Sequence, residues 1–418
     1  MNPLALSSAP TAFRRARLGD VQVTGAPTIV PVAVLTDMLA PSTTSFVLAR
    51  PFSADDDAVL VCDHAEAGNP SGLAQGAPSA VTEQIPTEST HRTTTGTTAL
   101  DFPDSTPTQN TDPSVAAGSR ASTTRMGGDD PCQVPTRAEY ARRVAQARDL
   151  IQAGTVNKVV LGRRMCLAHN TRLDMSAQQE LADRIVDDLI SLGTQGFPVL
   201  MPLPGERTLV GLSPELLIRR HGFNVEAFPL AGSAPRSGHE DIDAPRRHAL
   251  MNSAKDRSEH AFVVADIVRS LTPLCSHIDA PEVPEVVEAA TMLHLGTHIR
   301  GTLRPREDGS IPTLIEVAEA LHPTPAVCGS PTPVAQRIIE DLEEPRGLFT
   351  GYIAAQDTHG DGQAVIAIRM ALLDRDGITL YAGAGIVADS DPDAEADETH
   401  GKLRTVLNAI AHTTGSGV

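Results

Sequence analysis

The chain has 418 residues, with 34 Lys+Arg against 52 Asp+Glu for a formal charge of −18; it has no Trp, 3 Tyr and 9 Phe beside 32 Pro and 32 Gly. That length buries a large core without disulfides or a structural metal. The acidity argues against nucleic-acid and anionic-membrane partners, which select Lys/Arg clusters, and no apolar run approaches the roughly 18 residues of a transmembrane helix. The first 21 residues lack a basic stretch followed by an apolar one, so no signal peptide is expected. The five cysteines, at 62, 132, 166, 275 and 328, form no Cys-x-x-Cys and read as reduced thiols in a cytoplasmic protein.

In chain order, residues 1–64 supply short β segments, expected at 28–35 and 45–50. Residues 65–136 hold 21 Ser+Thr but only 8 of Ile, Leu, Val, Met and Phe. Such a stretch buries too little apolar surface to offset chain entropy and reads as a disordered insert. Without its 3 Arg and 8 acids the rest of the chain still stands at −13. Residues 137–412 are expected to form the main folded core and 413–418 a flexible tail. Thr136-x-x-Glu139 is a capping box opening a helix with Tyr140, Val144, Ala147 and Ile151 on one face, stopped at Gly154. A strand follows at 157–163, and Ser176-x-x-Gln179 opens a helix carrying Leu181, Ile185 and Leu189. Antiparallel strands are expected at 197–203, 208–212, 216–219 and 224–228, one long helix at 244–271, a strand at 292–303 and helices at 313–321 and 334–342. Strands at 351–356 and 364–373 flank the turn His359-Gly-Asp-Gly362. A strand at 378–382 and a helix at 394–410 close the chain, giving an α+β fold with large antiparallel sheets.

Several residues carry candidate chemistry. Lys158 opens a strand apolar on both faces, and removal from water favours the neutral, basic form of an amine; a lysine reaching solvent from a strand end is the ordinary alternative. Glu215, in the turn Gly211-Leu-Ser-Pro-Glu215, is a candidate proton donor if buried, or else the ion-pair partner of Arg219 or Arg220. Asp256, Glu259 and His260 share one helical face, and Glu395, Glu398 and Lys402 share another. Either is an ordinary solvated face; together they resemble a water-completed Mg²⁺ site. The loops Pro229-Leu-Ala-Gly-Ser233 and Tyr381-Ala-Gly-Ala-Gly385 expose backbone N–H groups suited to a carboxylate or phosphate, or are simple tight turns. Arg369 and His294 are candidates for binding an anion, whereas nothing near Cys328 marks an activated thiol.

Together these segments resemble the chorismate-utilising enzymes, and among them the isochorismate synthases. The resemblance runs in order through Lys158-Val-Val-Leu-Gly-Arg163, Gly211-Leu-Ser-Pro-Glu-Leu-Leu217, Pro229-Leu-Ala-Gly-Ser233, Lys255-Asp-Arg-Ser-Glu-His260, His294-Leu-Gly-Thr297, His322-Pro-Thr-Pro-Ala-Val-Cys-Gly329, Ile368-Arg369, Tyr381-Ala-Gly-Ala-Gly-Ile-Val387 and Glu395-Ala-Asp-Glu-Thr399 with Lys402. It implies a chorismate-binding, anthranilate synthase component I-like fold. It also implies roles: Lys158 as the base that activates water for attack at C2 of chorismate, and Glu215 as the acid that protonates the departing C4 hydroxyl. Glu259 and Glu398 would hold Mg²⁺ with Glu395 nearby. Arg369 and Gly383 would bind the enolpyruvyl carboxylate, Gly232, Ser233 and Ala326 would line the pocket, His294 would sit beside the ring, and Lys402 would add positive charge. Relatives that use ammonia from a glutaminase subunit resemble other residues at position 158, and some carry a Lys in the loop where this chain has Ala231. No glutaminase partner is therefore implied, and a monomer is expected. Salicylate synthases, which go on to eliminate pyruvate, are the nearest alternative, followed by an inactive chorismate-fold binding protein. Without the resemblance, the acidic faces alone read as a Mg²⁺-dependent hydrolase.

Overall fold

The computed structural model describes residues 14–18, 21–25, 27–31, 45–62, 132–169, 172–191, 196–289 and 292–414. Two large antiparallel sheets dominate. Neighbouring strands in the first are Gly329–Ser330, Lys158–Ala168, Gly377–Ile386, Met370–Leu373, Arg207–Ser213, Phe197–Leu203, Arg14–Leu18 and Val21–Gly25, with Cys132–Val134 also paired to the Lys158 strand. The second runs Cys275–Asp279, Ile299–Leu303, Asn224–Phe228, Leu216–His221, Gly362–Ile366, Tyr352–Gln356, Phe46–Arg50, Asp57–Cys62 and Thr28–Pro31. A third, small sheet joins Leu230–Pro235, Met292–Gly296 and Glu285–Glu288.

The alternation of apolar side chains along these strands builds a layered core. Val199, Met201 and Leu209 of the first sheet meet Val47, Ile353 and Val365 of the second in one buried cluster. The outer face of the second sheet packs on helices Ala254–Leu271 and Leu314–Leu321. The outer face of the first packs on Met175–Ser191 and Pro392–Thr414. Helices Arg137–Gln152 and Thr332–Leu342 cover the Lys158 end of that sheet.

Thr136 caps its helix by accepting from the Glu139 N–H, and the Thr313–Glu316 capping box is complete. Elsewhere the structure departs from the sequence expectations. Helix Met175–Ser191 is capped by Asp174, whose Oδ1 accepts from the Ala177 N–H, rather than opened at Ser176. The single helix expected over 244–271 is two, Glu240–Asn252 and Ala254–Leu271. Ser253 sits between them with extended backbone and its hydroxyl accepts from the Asp256 N–H. Cys132–Val134 pairs with Cys166–Arg164 and so belongs to the sheet rather than to the Ser/Thr-rich segment. Residues 65–131 of the expected insert, 32–35 of the expected strand and 415–418 of the expected tail lie outside the described residues.

Two expected strands change sheets midway. The 292–303 segment splits into Met292–Gly296 and Ile299–Leu303, one in the small sheet and one in the second. Its partner breaks at the same level, where Pro229 has no N–H to continue the ladder. The 364–373 segment splits likewise into Gly362–Ile366 in the second sheet and Met370–Leu373 in the first. Arg369 turns the chain between them with φ 57°, a conformation unusual outside glycine. The neighbouring chain crosses beside it: Arg207–Ser213 pairs with Met370–Leu373, Leu216–His221 pairs with Gly362–Ile366, and Pro214-Glu215 spans the gap. Gly211 is required there, because a Cβ would stand 2.4 Å from the Arg369 carbonyl oxygen. Both crossings deliver candidate site residues to the same place.

Candidate active site

A cleft of about 690 Å³ opens where the crossings, the small sheet and the last helix meet. Ten of the twelve residues to which the resemblance gives a role line it: Glu215, Gly232, Ser233, Glu259, His294, Ala326, Arg369, Gly383, Glu398 and Lys402. The other two stand one layer behind. Lys158, fully buried, approaches Glu259 with Nζ 3.0 Å from Oε1, and Glu395, 1% exposed, receives Lys255 Nζ at 2.7 Å. A larger cavity of about 1080 Å³, lined by Pro51, Leu203, Leu209 and Met370 among others, lies on the far side of Phe349 and Tyr381. It contains neither Lys158 nor Glu215, so the chemistry, not the size, identifies the site.

The Lys158–Glu259 contact lacks hydrogen-bond geometry, leaving Lys158 Nζ with no hydrogen-bond partner among the described residues. Gly385 on the adjoining strand makes room for it; a Cβ there would lie 2.2 Å from Glu259 Oε1 and 2.9 Å from Lys158 Cε. Across the cleft Glu215 is 3% exposed. Burial pushes its carboxyl up to about 7 against the lowering effects of the Leu230 N–H and of Lys158, Arg369 and Lys402, so a protonated acid is present at neutral pH.

Beside it the Arg369 guanidinium approaches His294 Nε2 at 3.5 Å. Burial lowers Arg369 to about 10, leaving it charged at neutral pH, and burial with the charges of Arg369 and Lys402 holds His294 down to about 3. The imidazole is therefore neutral. His260 is also neutral, lowered to about 4 by burial and by Lys158, and bonds Thr297 Oγ1 at 2.7 Å. Lys402 Nζ donates to the Gly383 carbonyl at 3.0 Å and pairs with Glu398 Oε1 at 2.7 Å, where the Ser233 hydroxyl also donates at 2.7 Å. Although burial alone would raise it, Lys402, Ser233 and Lys255 together pull Glu398 down to about 2. Gly232 (φ 79°) passes so close to the helix that a Cβ would stand 2.9 Å from Asp256 Cβ.

Glu259, Glu395 and Glu398 are an all-oxygen donor set of the kind a hard divalent cation prefers. Among the described residues no three His, Cys, Asp or Glu side chains converge closely enough to hold a metal ion unaided. Each of the three carboxylates is drawn instead to its own lysine: 158, 255 or 402. Glu395 Oε2 is nevertheless buried with no hydrogen-bond partner at ordinary distance among the described residues, and burial and Glu398 raise its carboxyl against Lys255 and the nearby Ser390 hydroxyl. That orphaned oxygen beside an anionic Glu398 fits a cation completed by water and substrate.

Sequence reasoning missed part of the wall. Phe349 and Tyr381 stack with centroids 5.3 Å apart and line the cleft, together with Val160, Thr350 and Ile368. Tyr381 was readable only as part of a glycine-rich loop. Phe349 and Thr350 lie in a turn whose left-handed residue, Thr350 (φ 63°), carries no local signal. No described helix is long and apolar enough to cross a membrane.

Comparison with known proteins agrees with this architecture. The family profile described as chorismate binding enzyme matches residues 105–411. Isochorismate synthase DhbC of Bacillus subtilis (strain 168) is 39% identical over 284 residues, covering 66% of this chain and 69% of that protein. The crystal structure of a Bacillus anthracis protein named as a 2,3-dihydroxybenzoate-specific isochorismate synthase, DhbC, superimposes with a TM-score of 0.73 at 27% identity, over 97% of this chain and 98% of that one. Anthranilate synthase component I from Streptococcus pneumoniae TIGR4 shares the fold, with a TM-score of 0.63 at 18% identity over 97% of this chain and 94% of its own. The chain belongs to the chorismate-binding enzymes.

Proposed function

We infer that this protein is an isochorismate synthase, converting chorismate to isochorismate. The observation that carries the reading is a buried Glu215, its carboxyl raised to about 7, lining a cleft with Arg369 and Lys402 in front of the buried Lys158. Chorismate is a dianion, and an acidic protein needs placed cations to receive it. Arg369, with the Gly383 backbone, is assigned the enolpyruvyl carboxylate, and His294 stands beside the ring.

Water adds at C2, the C1=C2 pair moves to C1=C6, the C5=C6 pair moves to C4=C5, and the C4 hydroxyl departs. Lys158 takes the proton of the attacking water and Glu215 gives its proton to the leaving hydroxyl, which leaves as a second water. The two side chains end one turnover with exchanged protonation states and are reset by proton exchange with solvent. Acid and base on opposite sides of one closed cleft are what an allylic displacement asks for. Glu259 and Glu398, with Glu395 behind them, are assigned to hold Mg²⁺. That ion, when bound, would neutralise the ring carboxylate. With water as nucleophile the enzyme needs no glutaminase subunit, and we assign it as a cytoplasmic monomer.

The test is to incubate the pure protein with chorismate, with and without Mg²⁺, and to identify products by mass and ultraviolet spectrum. Isochorismate is expected. Salicylate plus pyruvate would move the assignment to a salicylate synthase, and unchanged chorismate would overturn the enzymatic reading.

A further inference from the structure

Among the described residues, the edge of the Lys158 strand is paired in two places and bare between them. Gly329–Ser330 pairs with Val159 and Lys158, and Cys132–Val134 pairs with Cys166 to Arg164. In the gap, the Val160 carbonyl and the Gly162 N–H have no strand to meet. A buried ion pair takes the strand's place: Arg346 Nη2 donates to the Val160 carbonyl at 2.7 Å, and Glu343 Oε1 accepts from the Gly162 N–H at 2.6 Å.

Every donor of the Arg346 fork is used. Nε meets Glu343 Oε2 at 2.8 Å and Nη2 also meets Glu343 Oε1 at 2.9 Å. Nη1 meets the Val327 carbonyl at 2.9 Å and Thr350 Oγ1 at 3.2 Å. The guanidinium lies 4.7 Å from the Phe52 ring centroid and 5.7 Å from that of Phe349, and both members of the pair are about 5% exposed. Val160, Val327, Phe349 and Thr350 all line the cleft. Arg346 itself faces the larger cavity on the other side of the wall and touches no group assigned to substrate or metal.

We propose that Arg346, held by Glu343, is a positioning residue for the reaction: it stands in for a missing strand two residues after Lys158 and fixes that strand against the Ala326-Val327 wall. Five donors in one plane do this. A lysine, with three donors on one atom, keeps the charge opposite Glu343 but reaches neither carbonyl with the same geometry. Displacing a reacting group by about 1 Å costs on the order of 100-fold in rate, whereas substrate affinity is set across the cleft by Arg369, Lys402 and the Gly383 backbone.

The proposal rests on the isochorismate-synthase reading, and its test separates the two. Arg346→Lys and Glu343→Gln are compared with wild type for kcat and KM toward chorismate and for thermal midpoint. The expected result, per folded enzyme, is a kcat about 30- to 100-fold lower in Arg346→Lys and about tenfold lower in Glu343→Gln, with KM within about threefold, alongside a lowered midpoint from the lost buried hydrogen bonds. A purely structural role would lower the midpoint and leave the kcat of the folded fraction intact. That result, or a full kcat in both variants, overturns the proposal. If Arg346→Lys does not fold, Glu343→Gln decides alone. A wild type that leaves chorismate unchanged would refute the proposed function instead.

Discussion

Lys158 Nζ lies 3.0 Å from Glu259 Oε1, buried just behind the cleft wall, and the contact exists because residue 385 has no side chain. A methyl group at that position would overlap both partners. Gly385→Ala is therefore expected to lower turnover about 100-fold or more while the circular dichroism spectrum stays native. Lys158→Ala, which removes the base itself, should lower it by about 10²- to 10⁴-fold. Normal turnover in Lys158→Ala would remove the lysine from the mechanism.

Glu215 sets a pH dependence with a definite sign. Its carboxyl is raised from 4.5 to about 7 on folding, chiefly by burial. The associated stability is fully present below about 4.5 and is lost as pH rises through about 7. Relative to Glu215→Gln, which cannot ionise, wild type should lose on the order of 3 kcal/mol between pH 4 and 9, measured by urea unfolding. The turnover of wild type should fall over the alkaline part of that range as the acid is consumed, and Glu215→Gln should be inactive throughout. An alkaline limb that survives in an active Glu215→Gln would assign it to another group.

Glu398 is anionic well below neutral pH because Lys402 and the Ser233 hydroxyl outweigh its burial. A bound cation should thus be retained across the neutral range. Treatment with EDTA is expected to abolish turnover, and Mg²⁺ to restore it. Glu398→Gln should raise the Mg²⁺ concentration for half-activity at least about tenfold; an unchanged requirement would move the metal elsewhere.

The chain from about residue 70 to 128 is poor in apolar residues. Its excision, with Cys132–Val134 retained so that the sheet pairing survives, is expected to leave turnover within about threefold of wild type. An insoluble product would show that the segment contributes to the fold.

Most of the candidate site was legible because each residue sits in a short motif with a local cause: Pro214 before Glu215, Gly232 beside Ser233, a carboxylate every helical turn on the last helix. The strands were legible as apolar runs, and their endings less so. The 364–373 run is apolar except for Arg369 and the 292–303 run breaks only at Thr297-His298, so neither announces a change of sheet; what breaks each ladder lies partly on another strand, the Pro214 crossing for the first and Pro229 for the second. The Ser253 break carried a signal, a serine three residues before Asp256, overshadowed by the helical periodicity around it. The Arg346–Glu343 pair had none, since its meaning lies in a gap on a strand some 180 residues earlier. Arg14–Leu18 and Val21–Gly25 were overlooked although Val21-Gln-Val-Thr24 alternates as a strand does; three arginines obscured the first, which is held by pairing along its whole length with the second and, at Arg17 and Leu18, with Phe197–Leu203.

Glu215 and Arg369 ride on backbone that leaves one large sheet and enters the other. Neither sheet can open, slide or fray at that level without pulling these two side chains apart. Catalysis should accordingly vanish in step with the global melting of the β layers rather than ahead of it, and cutting the chain into halves should leave neither piece able to bind. Turnover in this enzyme is a gauge of the whole scaffold, read at the seam where its two sheets exchange strands.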